Sequence, residues 1–222
     1  MKRFVLLACL TCIAAVLPSE TESTGMKKRV IISLPPPKTK GTMSLEEAIQ
    51  KRRSVRTYSA KELNQGEISQ LLWAVQGITD KERGLRAAPS AGALYPLEIY
   101  LVEKNGVFYY NVVHHSLTQR SGEDVRSKLA QASWEQSFIA KAPISIVICV
   151  ERDRMTGKYG SRGNRYVDIE VGHAAENLHL QAVAIGLASV PVGAFDDDQV
   201  HNILGLPEGQ DVLYIIPIGY AK

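Results

Sequence analysis

The segment Ile144–Val150, ISIVICV, constrains this chain most: it is a charge-free, β-branched run with the pattern of a buried central strand. A strand of that kind needs partners beside it and cover on its faces, and the rest of the sequence supplies both. Glu98–Glu103 alternates like a strand, and Asn105-Gly106 is a strong hairpin signal leading into Val107–Val113. A short strand is expected near Ser189–Val192 and a last one over Val212–Ile218. Ser44-Leu45-Glu46-Glu47 forms an S-x-x-E capping box, predicting a helix from about Leu45 to Arg52. Asn64 followed by Glu67 predicts a second cap, with Ile68, Leu71, Leu72 and Val75 on one face and Gly77 as the stop. The longest helical pattern runs from Tyr166 to Ile185, with Val167, Val171, Ala174, Leu178, Ala182 and Ile185 at helical spacing and Gly186 ending it. Asp196 caps a further helix. Helices and strands are interspersed without regular βαβ alternation, which predicts an α+β fold with a mixed sheet. No internal repeat shows, and no domain boundary follows residue 43.

The N-terminus stands apart. Lys2 and Arg3 precede Phe4–Leu17, fourteen residues without a charge, which match a secretory signal and are too short to span a bilayer comfortably. Residues 1–19 are therefore expected to be a signal peptide directing export, with cleavage after Ala15 or Ser19. Leu6-Leu7-Ala8-Cys9 also has the form of a lipoprotein processing box, which would add a lipid anchor. Met26-Lys27-Lys28 offers a cytoplasmic start instead. Residues 20–42 are polar and then proline-rich, with Pro35-Pro36-Pro37 as a stiff segment, and read as an extended arm leading into a domain over 43–222.

Composition narrows the function classes. The 222 residues carry 26 basic and 23 acidic side chains, a formal charge of +3 that falls to +1 once Lys2 and Arg3 are removed. That balance gives no field implying a nucleic-acid partner. Of the three cysteines, Cys9 and Cys12 go with the leader, so no intrachain disulfide is available. Cys149, inside the apolar run, reads as a buried core thiol. There is no phosphate loop, dinucleotide fingerprint, zinc-protease or nucleophile-elbow motif. The histidines do not cluster as metal ligands: His173 and His179 fall on different helix faces, and His114-His115 would point opposite ways on a strand.

Three segments carry possible chemistry. Lys51-Arg52-Arg53-Ser54-Val55-Arg56 complements a helix C-terminus, and equally forms an anion clamp, since guanidinium forks bind phosphate bidentately. Ala88–Pro96, APSAGALYP, is a tight loop whose small residues let backbone approach something flat. Pro191–Asp196, PVGAFD, turns a strand end into a helix start, where backbone N–H groups can face an electron-rich ligand atom.

In this order and spacing the segments resemble the nitroreductase family of FMN-dependent oxidoreductases, over about residues 30–222. The motifs are EEAIQKRRSVRTYS (46–59), PSAGALYPLE (89–98), KYGSRGNRY (158–166), VGHAAENLHLQAVAIGL (171–187) and PVGAFDDD (191–198). PSAGALYP with PVGAFDDD is most similar to the SagB-type dehydrogenase branch, which includes thiazoline and oxazoline oxidases. The resemblance implies an α+β fold with a mainly antiparallel sheet flanked by helices, an intertwined homodimer, and FMN at the subunit interface. It implies that Arg52, Arg53, Ser54 and Arg56 hold the flavin phosphate and ribityl chain. Pro89, Ser90 and Ala91 would come from the other subunit to line the flavin, with Gly193 and Ala194 at the isoalloxazine. Lys222 would be a basic phosphate contact.

The implied reaction passes electrons as hydride between a reduced donor, typically NAD(P)H, and a small-molecule substrate. In the azoline-oxidising members a Lys-Tyr pair acts as general base and proton relay, which implies that role for Lys158 and Tyr159. On its own, Arg152–Arg165 is so rich in charge and glycine that it reads as a solvated loop, with Arg162 and Arg165 shaping access for an anionic substrate. Trp134 and Phe138, four apart, either cover the flavin or pack the core, and core packing is the expectation. Export conflicts with a nicotinamide donor and with FMN carried across a membrane by an unfolded chain. Either the donor is different, the flavin is acquired outside, or the leader is not a leader. A non-catalytic flavin-binding protein on the same scaffold is the alternative from another class.

Overall fold

The computed structural model describes Met1 and residues 30–222, so the expected signal peptide and the first part of the arm lie outside the described residues. Seven strands form one sheet in the order β1 (Ile31–Ser33), β6 (Ser116–Ser121), β5 (Gly106–Asn111), β4 (Leu97–Glu103), β7 (Ile144–Val150), β9 (Asp211–Gly219) and β8 (Ala188–Ser189). A separate pair is made by β2 (Ile78–Asp80) and β3 (Leu85–Arg86). Every ladder is antiparallel. The mixed character expected from the sequence is confined, among the described residues, to a single parallel bridge between Ser54 and Ser189.

The β7 run behaves as its composition demands. All seven residues are buried, and they alternate between two cores. Ile144, Ile146, Ile148 and Val150 face α2 (Gln65–Gln76) and α6 (Arg162–Ala184). Val147 and Cys149 face α3 (Arg126–Ala132), α4 (Phe138–Lys141) and α7 (Asp197–Leu204). Cys149 is free and fully buried, and burial pushes its thiol well above the ordinary value. It is inert core.

Local signals are obeyed. Ser44 Oγ accepts the Glu47 amide at 3.1 Å and starts α1 (Leu45–Lys51). Asn64 and Glu67 close a reciprocal capping box at 3.0 and 2.8 Å. Gly106 sits at φ 128 in the β4–β5 hairpin, where any Cβ would meet the Ser121 carbonyl at 1.9 Å. Asp196 accepts from the Gln199 amide at 2.9 Å to cap α7. Part of the proline-rich arm is structural: β1 pairs with β6, and Pro35 takes a 2.5 Å hydrogen bond from Ser69 Oγ. No helix of the described residues is long and apolar enough to cross a membrane.

Three expectations change. Arg152–Arg165 is no loop: α5 (Arg152–Tyr159) turns at Gly160 into α6. Trp134 is 67% exposed, held with Glu135 in left-handed backbone (φ 52 and 60), while Phe138 is half-buried. His114 and His115 lie in a turn, where His115 contacts Tyr110, Ser69 and the Pro35 carbonyl.

The α5–α6 corner depends on Gly163, whose absent Cβ would sit 2.8 Å from the Met155 carbonyl carbon and the Thr156 nitrogen. These are backbone atoms and cannot step aside cheaply. Gly163→Ala should therefore lower stability by about 1–3 kcal/mol from overpacking, despite the helix-propensity gain of about 1 kcal/mol. Denaturant unfolding of both proteins checks this, and an unchanged or higher midpoint would contradict the close crossing.

Candidate functional site

Arg52 ends α1 by donating its amide to the Ala48 carbonyl at 2.9 Å, and the chain then runs extended alongside β8 and the end of β9. Val55 donates to the Ser189 carbonyl at 3.1 Å, Ser59 to Tyr220 at 2.9 Å, and Lys222 to Thr57 at 3.3 Å. Tyr58 pins the segment from below, its hydroxyl donating to the Val55 and Pro217 carbonyls at 2.7 and 3.1 Å. Burial pushes that hydroxyl far above its ordinary value, so it stays protonated and remains a donor. This lacing brings Lys222 beside the arginine run.

The guanidinium groups do not converge. Arg53 folds back to donate to the Gln50 and Arg52 carbonyls at 3.0 and 2.6 Å, which is the helix C-terminal role. Arg56 lies over the Phe138 ring at 5.8 Å. Arg52 alone of the four cations has a carboxylate within reach among the described residues, Glu176 of α6 at 3.8 Å. Arg53, Arg56 and Lys222 are exposed, as is Ser54.

Under the run lies His179, a residue that sequence spacing marks only as structural. Its Nδ1 is 2.7 Å from Ser189 Oγ, while its Nε2 is buried without a hydrogen-bond partner. Burial, with the Arg52 charge beside it, pushes its pKa down to about 4, so the ring is neutral. Ser189 joins the arginine segment to Pro191–Asp196, since the chain continues from it through Val190. Val192 exchanges backbone hydrogen bonds with Ile215 at 2.9 and 3.0 Å. Gly193 and Ala194 then emerge exposed, and their amide N–H groups donate to no acceptor among the described residues. Gln136 Nε2 holds the Ala194 carbonyl at 2.9 Å, and the Asp196 amide donates to Ala132 at 2.9 Å.

Pro89, Ser90 and Ala91 belong to a second group. Their loop is tightly wound, with Gly92, Ala93 and Tyr95 at φ 63, 53 and 49, and Ser90 Oγ accepts the Tyr95 amide at 2.9 Å. Lys158 and Tyr159 meet this loop at the end of α5. A Cβ on Gly92 would lie 2.7 Å from Tyr159 Oη and 2.8 Å from Lys158 Nζ, so the glycine leaves room for both tips. Tyr159 is half-buried edge-on against Tyr166 at 5.1 Å, whereas Lys158 is exposed. Arg162 and Arg165 are exposed on the first turns of α6.

Sequence reasoning missed Glu170. It is 2% exposed on α6, and neither carboxyl oxygen meets full hydrogen-bond geometry with a partner among the described residues. Burial pushes its pKa up to about 7, opposed by Ser90, Gln76 and Arg86 nearby. The available signal was its place between Val167 and Val171 and Ala174, an acid on the apolar stripe of a helix. No hydrogen bond or ion pair among the described residues runs directly between the two groups. Instead α6 serves both, with Glu176 and His179 toward the arginine segment and Glu170 and Asn177 toward the loop, Asn177 donating to the Ala87 carbonyl at 3.3 Å.

Comparison with known proteins agrees with this architecture. Residues 49–220 match the family described as "Nitroreductase family". A nitroreductase-like protein of Methanocaldococcus jannaschii is 44% identical over 183 residues, covering 80% of this chain and 91% of its own. The crystal structure of a nitroreductase-like protein from Ralstonia eutropha JMP134 superposes with a TM-score of 0.80 at 28% identity, covering 95% of this chain and 97% of that one. The NADPH–flavin oxidoreductase of Vibrio harveyi is 26% identical over 113 residues, 47% of each chain. With a family match across most of its length and the α+β architecture that goes with it, the chain belongs to the nitroreductase family.

Proposed function

We propose that this protein is an FMN-dependent oxidoreductase that passes hydride between a reduced donor, NAD(P)H in the usual case, and a small-molecule substrate. The observation that carries this reading is the pairing of exposed Arg53, Arg56 and Lys222 and half-buried Arg52 with the free amides of Gly193 and Ala194, joined through Ser189. Those residues fit FMN: a dianionic phosphate wants guanidinium and ammonium donors, and the electron-rich edge of a flavin wants backbone N–H groups. When bound, FMN supplies the two-electron chemistry at its ring system. The NADPH–flavin oxidoreductase of Vibrio harveyi supports the same cofactor and donor class by its name.

The chain's own contribution is binding and orientation. Arg52, Arg53 and Arg56, with Lys222, neutralise the phosphate, and Ser54 donates its hydroxyl. Gly193 and Ala194 orient the ring by their amides. Pro89, Ser90 and Ala91 form a wall of small residues, which completes the site when a second copy presents its loop. Two separated half-sites in one chain support a homodimer, and α1 and α6 support it too. Leu45, Ile49 and Ile169 are exposed at 61%, 57% and 46%, an apolar strip that a second copy would cover.

The meeting of Lys158 and Tyr159 over Gly92 favours a second reading, azoline oxidation on a peptide. Lys158 Nζ would take a proton from substrate and Tyr159 Oη would relay it. For the leader we propose export, with a cytoplasmic start at Met26 as the competing site of translation; fractionation of the full chain decides between them.

Purified protein should be yellow, and Arg52→Ala with Arg56→Ala should lose most of its bound flavin. Unchanged FMN occupancy in the double variant, read from the visible spectrum, would remove the phosphate-clamp assignment. A colourless protein that refuses added FMN would favour the non-catalytic alternative. Lys158→Ala should keep flavin and lose azoline oxidation by about 10²–10⁴-fold if the lysine is the base; a full-rate variant disposes of that reading. Ile49→Glu should convert dimer to monomer in light scattering and release flavin at the same time.

A further inference from the structure

Buried Glu170 and Gln76 lie next to half-buried Ser90 of the 89–96 loop, and none of the assigned roles uses the two buried side chains. Glu170 reaches it from α6, Gln76 from the last turn of α2, and Ser90 from the loop itself. Gln76 is fully buried; its Oε1 accepts from Arg86 Nη1 at 3.2 Å, while its Nε2 has no partner. Both Glu170 oxygens are likewise unpartnered. Ser90 and Gln76 oppose the rise in its pKa by hydrogen-bonding toward the carboxyl, but neither reaches full hydrogen-bond geometry on it among the described residues. Among the described residues Arg86 is the charged group that bears on Glu170 from a neighbouring element, and its guanidinium is committed to Gln76 and to the Tyr95 ring, 4.5 Å away. Three adjacent orphan atoms in a packed interior need an explanation.

We propose that Glu170 is a positioning residue that sets the shape of the 89–96 loop: neutral, it leaves Ser90 closed onto Tyr95, and ionised, it draws the Ser90 hydroxyl and the Gln76 amide onto itself. A neutral carboxyl tolerates this apolar setting, whereas a buried carboxylate must recruit donors or be expelled. Among the described residues the groups that act on it belong to Ser90, Gln76 and Arg86. Ser90 is also the acceptor that closes the strained turn, so its movement is transmitted to Gly92, Ala93 and Tyr95. Proton loss near neutrality thereby reshapes the loop against Lys158 and Tyr159. The effect on flavin binding rests on the reading above that this loop lines the flavin; the loop movement does not.

The sign follows from linkage. Glu170 binds its proton more tightly folded than unfolded, so its contribution to stability is complete below the ordinary carboxyl value and is lost as pH rises through about 7. The test is hydrogen exchange on the full chain, wild type against Glu170→Gln, at about one pH unit below and one above that value. The readout is the Tyr95 amide, which donates to Ser90 Oγ. At the lower pH the two proteins should protect it equally, because glutamine mimics the neutral acid. At the higher pH the wild type should exchange several-fold faster than the variant measured alongside it. Equal protection at both pH values, or a difference that does not change with pH, overturns the proposal. Glu170→Met, apolar and of similar length, makes the same comparison where the glutamine variant does not fold.

FMN titration in parallel separates the two readings. Wild-type affinity should weaken several-fold across the same interval while Glu170→Gln stays flat, and identical pH profiles count against Glu170. Absence of FMN binding in both proteins at both pH values refutes the flavin reading alone, and the exchange result still decides the loop.

Discussion

The seating of α6 on the sheet is the constraint on which the rest of the molecule depends. Val167, Val171, Ala174, Leu178 and Ala182 form its buried stripe, and they meet Leu97, Ile99, Ile146 and Ile148 on the strands below. Burial of each large aliphatic side chain contributes roughly 1.5–3 kcal/mol, and the stripe is continuous over four turns, so the helix has one seat and one rotation. That rotation decides which side chains leave its flanks. Glu176 and His179 are turned to the arginine segment, and Glu170 and Asn177 to the 89–96 loop. A rotation of one residue would disconnect both groups.

The parts of this arrangement legible in the sequence are those governed by local rules. The β7 run, the two caps, the Asn105-Gly106 hairpin and the stripe of α6 each specify themselves within a few residues. What escaped is what long-range pairing decides. Ile31–Ser33 is too short to declare itself a strand from its β-branched pair alone, and it takes its place by pairing with β6. The charged stretch before α6 reads as loop because α5 has one fully buried residue, Met155, and gains its helix from the corner at Gly163. Recognition by motif picked out the candidate segments, but spacing along the chain could not tell that the fold sorts them into two groups. Lys222 shows the same limit: its place beside the arginines comes from strand register, through Ala221 paired with Tyr58 and the Lys222 amide on Thr57.

Buried polar atoms without partners mark the same places by a different route. Interiors satisfy nearly all such groups, and those left over concentrate where stability has been given up for another purpose. Here Gln76 and Glu170 lie under the loop and His179 under the arginine run, while Ser133 closes α3 ahead of the exposed Trp134 turn that Gln136 ties to Ala194. Ser145, inside β7, is the exception and sits far from any candidate chemistry in the sequence, in the strand that the core holds most firmly. The coincidence of unpartnered polar atoms with both groups is independent of any motif.

The division into two groups also bears on why the chain exposes what it does. A flavin site needs cations and amide donors on one side and an apolar wall on the other, and in a single chain these diverge around α6. Bringing a group's missing half from a second copy requires a surface that excludes water around the bound ring. Exposed Leu45 and Ile49 lie on α1, which Arg52 caps, and exposed Ile169 lies on α6, which carries the buried acid. Under the proposed flavin reading, association and cofactor binding are one event rather than two, since the loop of one copy would line the site of the other. A proton held at Glu170 beneath that loop would act on the partner's site and leave its own arginine run untouched.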